Sequence, residues 1–219
     1  CSFQGRNLGR AFKVLKNMVN THDCLKVLTL SGALVPAGME KVINATIRHG
    51  IIDVIVTTGA NIIHSIVNCY SDDPSHQWHF MGHPDVDDEE LYDHRINRIY
   101  DTFLPEAGYH DAEEGLLKLL SAHFDEAQPH TISPSNLFKI LGDHLPGENF
   151  LSVAAQYNVP IFCGATSDSE LGLNLMKYRK RGKLAIILDE LQDVDNFASL
   201  ISSHNTYGTI ILGGGVPRN

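Results

Sequence analysis

The stretch IIDVIVTTGAN, residues 51–61, has the pattern of a buried strand that leads into a turn and a helix. Residues 51–58 are β-branched nearly throughout, which is typical of a strand covered on both faces. Small and hydroxylated residues follow directly and predict the turn. One strand of this kind does not define a fold, so the segments on either side of it decide the fold class.

The same alternation of short apolar strands and helices runs along most of the chain. Further strands are predicted at residues 25–30, 159–164, 184–189 and 208–215, and helices at residues 39–49, 171–181 and 193–202. Strands that alternate with helices favour a parallel sheet with helices on both faces. The sequence therefore predicts an α/β fold with a Rossmann-like, doubly wound, mostly parallel sheet.

The middle of the chain, from residue 70 to about residue 147, departs from this alternation. It begins with the polar, loop-like stretch YSDDPSHQWHFMGHPDVDDEE. Helices are predicted after it at residues 91–103, 112–124 and 134–144. We interpret the segment as a helical insertion in the open sheet and residues 1–219 as a single domain.

Composition excludes two classes of partner. The formal net charge of −9 argues against nucleic acid, which requires a basic face, but is compatible with a cationic substrate. No apolar run approaches the roughly 18 residues of a membrane span, so no membrane partner is expected. The four cysteines form no CxxC pair and predict free thiols in a reducing, cytoplasmic compartment.

Four predicted strands end in small or hydroxylated residues: SGALVPAG, TTGAN, ATSDS and GGGV. In doubly wound sheets, ligands bind beyond the carboxyl ends of the strands, where backbone N–H groups can approach a pyrophosphate. The turns therefore predict a nucleotide cofactor site, although none reads GxGxxG. Asp168 is the carboxylate among them. Its side chain could accept hydrogen bonds from ribose hydroxyls or cap the following helix, and the residues alone leave both open.

Histidines offer two further candidates. His76, His79 and His83 are close in sequence, but no cysteine or acidic residue stands at a recognised zinc-ligand spacing. We interpret the segment as a solvated or interface loop and predict no metal site. His64 falls one turn into the helix after TTGAN, where it could contact a ligand or serve as a core or capping histidine.

Several dispersed segments, in the same order, resemble the deoxyhypusine synthase family. They are FQGRNLGRA (3–11), IDVIVTT (52–58), INRIYDTFLPEAGY (96–109), SPSNLFKILG (133–142), VPIFCGATSDSELG (159–172) and IILGGGV (210–216). On these residues the chain is identified as a member of a divergent, bacterial or archaeal-type branch of that family.

The resemblance implies a homotetramer that binds NAD at subunit interfaces and oxidises spermidine by hydride transfer to NAD. The aminobutyl group would pass to an enzyme lysine and then to a lysine of a translation initiation factor. Two alternatives stay open. The acceptor could be a small amine such as putrescine, giving homospermidine, or the protein could bind NAD without catalysis.

Carried over residue by residue, the family's NAD contacts fall on small or matching residues. These are Gly32, Ala33, Pro36, Thr58, Gly59, Asp168, Gly213, Gly214 and Gly215. On the amine side, the resemblance aligns two family acids with His64 and Leu173, and a family histidine with Asn219. His64 and Asn219 are therefore expected to contact substrate. The loss of two carboxylates fits the divergent branch better than the protein-modifying synthase.

No catalytic nucleophile is assigned. The family's lysine falls beyond Asn219, and Lys177, Lys180 and Lys183 match no family motif. We therefore expect a carboxyl-terminal active-site segment to be missing from this chain. Because the chain begins with Cys1 instead of Met, we expect residues to precede it as well.

Overall fold

The structure, a computed structural model, describes residues 2–70 and 78–218. In chain order its elements are α1 (Phe3–Asn20), β1 (Cys24–Leu30), α2 (Glu40–Arg48), β2 (Val54–Val56), α3 (Gly59–Cys69), β3 (Phe80–Met81), α4 (Asp88–Asp93), β4 (Ile96–Ile99), β5 (Thr102–Pro105), α5 (Glu106–His123), β6 (His130–Ile132), α6 (Pro134–His144), α7 (Phe150–Gln156), β7 (Ile161–Phe162), α8 (Glu170–Lys180), β8 (Ile186–Leu188), α9 (Glu190–Ser202) and β9 (Thr206–Leu212). A 3₁₀ turn at Val216–Arg218 follows.

A four-stranded parallel sheet organises these elements, with the strand order β7-β2-β1-β9. The strand β1 lies inside the sheet, and its Val27 pairs with Val54 of β2 and Thr209 of β9. The chain leaves β1 toward β2 and β7, whereas β9 returns to the opposite side of β1. The strand order therefore reverses between β1 and β9, which is the position where open α/β sheets bind their ligands.

Helices cover both faces of this sheet, as alternate residues of the strands show. Along β1, Leu28 and Leu30 enter the main core with apolar residues of α2, α3 and α5 to α8. Leu25 and Val27 point to the other face, where they form a smaller cluster packed by Phe197 and its neighbours on α9. The predicted doubly wound, mostly parallel α/β fold is confirmed.

The inserted segment is not helical throughout, and the helix predicted at residues 91–103 is wrong. The short helix α4 ends at Asp93, and β4 and β5 then form an antiparallel hairpin with Ile99 opposite Thr102. Tyr100 begins the intervening turn at φ 57°, a left-handed conformation that breaks a helix. The segment also supplies β6, which pairs in parallel with β8.

The other predicted helices are confirmed as α2, α3, α5, α6, α8 and α9. Among the described residues, the helices α1, α4 and α7 were not predicted. In α1 only Met18 is buried, and apolar side chains such as Phe3 and Phe12 are exposed. Neither α1 nor any other helix in the described part of the chain is long and apolar enough to cross a membrane.

Ser31 joins the end of β1 to the end of β9 by two hydrogen bonds. Its hydroxyl donates to the Leu212 carbonyl oxygen at 3.0 Å and accepts from the Gly214 N–H at 3.1 Å. Gly213 lies between these bonds with φ 92°, and a Cβ atom at this position would collide with the Ser31 hydroxyl. The first of the three consecutive glycines is therefore required by this junction.

We expect Gly213→Ala to lower the free energy of unfolding by about 1–3 kcal/mol, because alanine is strained at this φ and has no space for its methyl group. Gly214→Ala is the matched control, since a Cβ there meets no atom and the backbone has no positive φ. Its effect should stay within about 0.5 kcal/mol. Urea unfolding measures both, and equal losses for the two variants would contradict the assignment.

Candidate cofactor and amine site

The turns that follow β1 and β2 are hydrogen-bonded to each other. The hydroxyl of Thr58, the N-cap of α3, donates to the Gly32 carbonyl oxygen at 3.1 Å. The amide of Asn61 reinforces this link, since its Oδ1 accepts from the Val35 N–H at 3.1 Å and its Nδ2 donates to the Thr57 hydroxyl at 3.2 Å. Asn61 is fully buried, so these bonds are not exchanged for water. They fix the start of α3 against the turn after β1.

The turn after β7 lies against the start of α3, where the two backbones approach closely. Gly59, the first residue of α3, packs against Ser169, and a Cβ atom on Gly59 would overlap the Ser169 side chain. Ser169 is the N-cap of α8 and accepts from the Gly172 N–H at 3.3 Å. The alternative in which Asp168 caps this helix is therefore wrong. The Asp168 side chain is exposed.

The predicted cofactor residues thus come together from four strand ends. Gly32, Thr58 and Gly59 line the junction of the first two turns, and Ser31 joins Gly213 and Gly214 to them. At Gly32, Gly214 and Gly215 a Cβ atom would meet no atom, so the backbone borders open space. Pro36 is buried, whereas Ala33 is half-buried. The turns that follow β1, β2, β7 and β9 thus form one edge of the sheet, which we call the cofactor edge. With the N-terminus of α3 beside it, this edge suits a phosphate-bearing ligand.

Two clefts of the described residues lie away from this edge. One of about 590 Å³ is lined by residues of α4, β4 and α5, including Arg95 and Glu106. Another of about 360 Å³ lies between α6, α7 and β7. Neither contains a residue of the four strand-end turns. The candidate site at the turns therefore rests on their chemistry.

His64 lies deeper along α3 and contacts a second histidine. It is only 5% exposed, and its Nδ1 lies 2.9 Å from Nε2 of His79. The Nδ1 of His79 lies 2.8 Å from Oδ1 of Asn68, one helical turn after His64. The Tyr109 ring packs near His64, with ring centroids 5.9 Å apart. His64 is thus part of a polar chain inside the core.

Burial keeps this histidine pair neutral. It lowers the pKa of His64 to about 3, with a further contribution from His79, because a charged imidazolium is poorly solvated there. Burial also lowers the pKa of His79 to about 4. Both rings are therefore uncharged at neutral pH and act through hydrogen bonds.

A buried carboxylate stands at the other end of the chain of polar groups. Glu40, at the start of α2, accepts from the Ser65 hydroxyl at 2.5 Å and from the Phe150 N–H at 3.0 Å. Burial raises the pKa of Glu40, while hydrogen bonds from Ser65, Phe150 and, more weakly, Asn68 oppose this. The Glu40 carboxyl group therefore connects α2, α3 and α7.

The other members of the histidine cluster are not brought to His64. His83 is exposed and lies 3.6 Å from Asp85. His76 lies outside the described residues, as does Asn219, the other predicted substrate contact. Leu173, on α8, is 47% exposed. Among residues 2–70 and 78–218, no group of three His, Cys, Asp or Glu side chains is arranged to hold a metal ion.

Sequence reasoning missed several residues of this region. Ser31, Glu40 and Asn61 act through hydrogen bonds between elements, and no local pattern identifies such partners. His79 stood in the HQWHFMGH cluster, but its partner is 15 residues earlier on another element. A signal was available for Asn61, because a polar residue on the predicted buried side of a helix usually has a hydrogen-bond partner on another element.

The fold defines a Rossmann-like α/β protein, and small-residue turns lie at the switch point of its parallel sheet. Within that class, the chain belongs to the deoxyhypusine synthase family, because the family model described as deoxyhypusine synthase matches residues 1–219. The family predicted from the dispersed segments is confirmed.

Archaeal relatives show the same membership. "Probable deoxyhypusine synthase 2" of Methanosarcina mazei is 35% identical over 222 residues, which cover 99% of this chain and 61% of that protein. "Probable deoxyhypusine synthase 1" of Archaeoglobus fulgidus is 35% identical over 219 residues, which cover 100% of this chain and 68% of that protein. The chain thus spans about three fifths to two thirds of the length of these relatives.

Solved structures share the fold. A candidate deoxyhypusine synthase from Entamoeba histolytica has a TM-score of 0.75 at 20% identity, covering 97% of this chain and 71% of that one. A conserved LOR/SDH protein from Methanococcus maripaludis has a TM-score of 0.57 at 12% identity, covering 97% and 53%. At these identities the likeness concerns the α/β fold alone.

The neutral histidine pair predicts a specific loss of stability in acid. Both pKa values are lowered by folding, so the unfolded chain binds more protons below its histidine pKa of about 6.5. Stability should be fully present above pH 6.5 and fall as pH decreases toward 4, by up to about 1.4 kcal/mol per pH unit for each histidine. Urea unfolding between pH 4 and pH 7 measures this slope.

The double variant His64→Gln/His79→Gln should show a shallower slope, because neither glutamine titrates. His83→Gln is the matched control and should keep the slope of the unsubstituted protein, since His83 is exposed. Parallel curves for the double variant and the unsubstituted protein would show that the pair is not held neutral.

Proposed function

We propose that the protein is an NAD-dependent aminobutyl transferase that uses spermidine, and that this chain supplies its NAD-binding domain. One observation carries the proposal: four small-residue turns meet at the switch point of a parallel sheet in a chain of the deoxyhypusine synthase family. The names of the archaeal relatives point to the same activity.

The residues at this edge fit NAD. The Gly213–Gly215 turn and the N-terminus of α3 would hold the pyrophosphate through backbone N–H groups such as that of Gly215, where a Cβ atom would meet no other atom. Thr58 and Gly32 would fix the turn beside it. The exposed Asp168 would accept hydrogen bonds from ribose hydroxyls. NAD, when bound, would supply a hydride acceptor for oxidation of the amine.

Several features support a polyamine substrate and a shared site. The net charge of −9 favours the approach of a polycation, and the buried His64 lies on α3, the helix that begins at the cofactor edge. Asp168, Gly213 and Gly215 are exposed in the single chain, which supports a site completed by another subunit. We therefore propose a cytoplasmic homotetramer with NAD at subunit interfaces and a lysine of a translation initiation factor as the acceptor.

Product analysis tests the activity. The full-length protein, incubated with NAD and spermidine, should release 1,3-diaminopropane, which chromatography quantifies. With radiolabelled spermidine, the label should pass to the initiation factor and not to putrescine when each is supplied in turn. Transfer to putrescine would identify homospermidine formation instead. Absence of 1,3-diaminopropane in every reaction would reject the proposed activity, and NAD binding without product would favour a non-catalytic role.

Asp168 should contribute directly to NAD affinity. We expect Asp168→Asn to raise the Kd for NAD about tenfold, because a neutral amide accepts ribose hydrogen bonds less strongly than a carboxylate. Isothermal titration calorimetry measures the change. Asp195→Asn, an exposed acid on α9, controls for the lost charge and should leave the Kd unaltered. An equal effect of both variants would assign the loss to overall charge.

A further inference from the structure

We infer that His79 and Asn68 are positioning residues that hold His64 in a single tautomer, with Nε2 presented as a hydrogen-bond acceptor for an N–H group of the amine substrate. The identity of the amine rests on the proposed function. The positioning rests on the geometry of the polar chain that begins at Glu40. Neither His79 nor Asn68 belongs to the cofactor edge.

The direction of the chain is set by the Asn68 amide. At the inner end of the chain, the Glu40 side chain accepts hydrogen bonds from the Ser65 hydroxyl and the Phe150 N–H. At the other end, Oδ1 of Asn68 lies 2.8 Å from His79 Nδ1, which leaves the NH₂ group of the amide on the opposite side. The amide orientation is thereby assigned, and Oδ1 of Asn68 is left to face His79.

From Asn68 outward, each group has one possible role. Oδ1 of Asn68 can only accept, so the His79 Nδ1 at 2.8 Å carries the proton. A neutral imidazole has one N–H, and His79 Nε2 is therefore an acceptor. The His64 Nδ1 at 2.9 Å must donate to it. His64 Nε2 consequently has no hydrogen and presents a lone pair.

The available lone pair makes His64 a selective contact. Within residues 2–70 and 78–218, the His64 ring forms its hydrogen bond through Nδ1, to His79. A neutral acceptor accommodates an N–H donor but forms no ion pair, unlike a carboxylate at the same point. Because the ring is fixed by packing against Tyr109 and by its bond to His79, the acceptor is held in place before substrate arrives.

The tautomer is directly observable by two-bond ¹H–¹⁵N NMR of the ¹⁵N-labelled protein at pH 7. We expect an unprotonated Nε2 on His64. His79→Phe should convert His64 to the Nε2–H form, because Nδ1 loses its acceptor. His79→Gln, whose amide oxygen can accept, should preserve the native tautomer, and His83→Phe serves as the matched control. An Nε2–H form in the unsubstituted protein, or an unchanged tautomer in His79→Phe, would overturn the positioning role.

Substrate affinity tests the second half of the inference. With NAD present, calorimetry should give a Kd for spermidine about tenfold higher in His79→Phe and within about threefold of the unsubstituted protein in His79→Gln. Equal affinity in all variants would overturn the contact between His64 and the amine. If the unsubstituted protein binds no spermidine, the amine assignment fails together with the proposed function, and NMR still decides the positioning role independently.

Discussion

The buried amide of Asn61 is the interaction on which the cofactor edge depends. One side chain satisfies the Val35 N–H in the turn after β1 and the Thr57 hydroxyl at the end of β2. Both turns lack regular backbone pairing, and a buried N–H without a partner would cost about 1–3 kcal/mol. The amide therefore lets two irregular turns lie side by side without water. Hydrogen bonds from Thr58 to Gly32 and from Ser31 to Leu212 join the more exposed parts of the turns in the same way.

Glu40 performs a similar task with its buried carboxyl group. Such a group is tolerated only when hydrogen bonds satisfy it, and α3 and α7 supply the donors here. The helices also gain from these bonds. Glu40 accepts the first N–H of α7, and its bond to Ser65 fixes α3 against α2. The histidine pair is linked to this carboxyl group through Asn68. The candidate amine contact and the packing of three helices thus share one hydrogen-bond network.

Much of the fold follows from local pattern, and most of the site does not. The strands β1 and β9 and the helix α6 were predictable because short apolar runs and a Ser-Pro helix start are local signals. The hairpin of β4 and β5 was missed because Ile96, Ile99 and Phe103 also fit a helical repeat, and the left-handed Tyr100 that decides the matter has no strong sequence signature. The glycine turns were found from composition. The contact between His64 and His79 depends on tertiary packing, which spacing along one segment cannot encode.

The position of β1 inside the sheet has a consequence for how the chain reaches its native state. Its partner β9 comes from the far end of the sequence, and Asp23 meets Asn205 across a separation of 182 residues. Pairings this distant in sequence are slow to form, since a long loop must close first. On the ribosome, a buried strand would wait on the order of ten seconds or more for its neighbour to be made. Until then Cys24–Leu30 presents an apolar open edge, the kind of surface that chaperones recognise and that aggregation exploits.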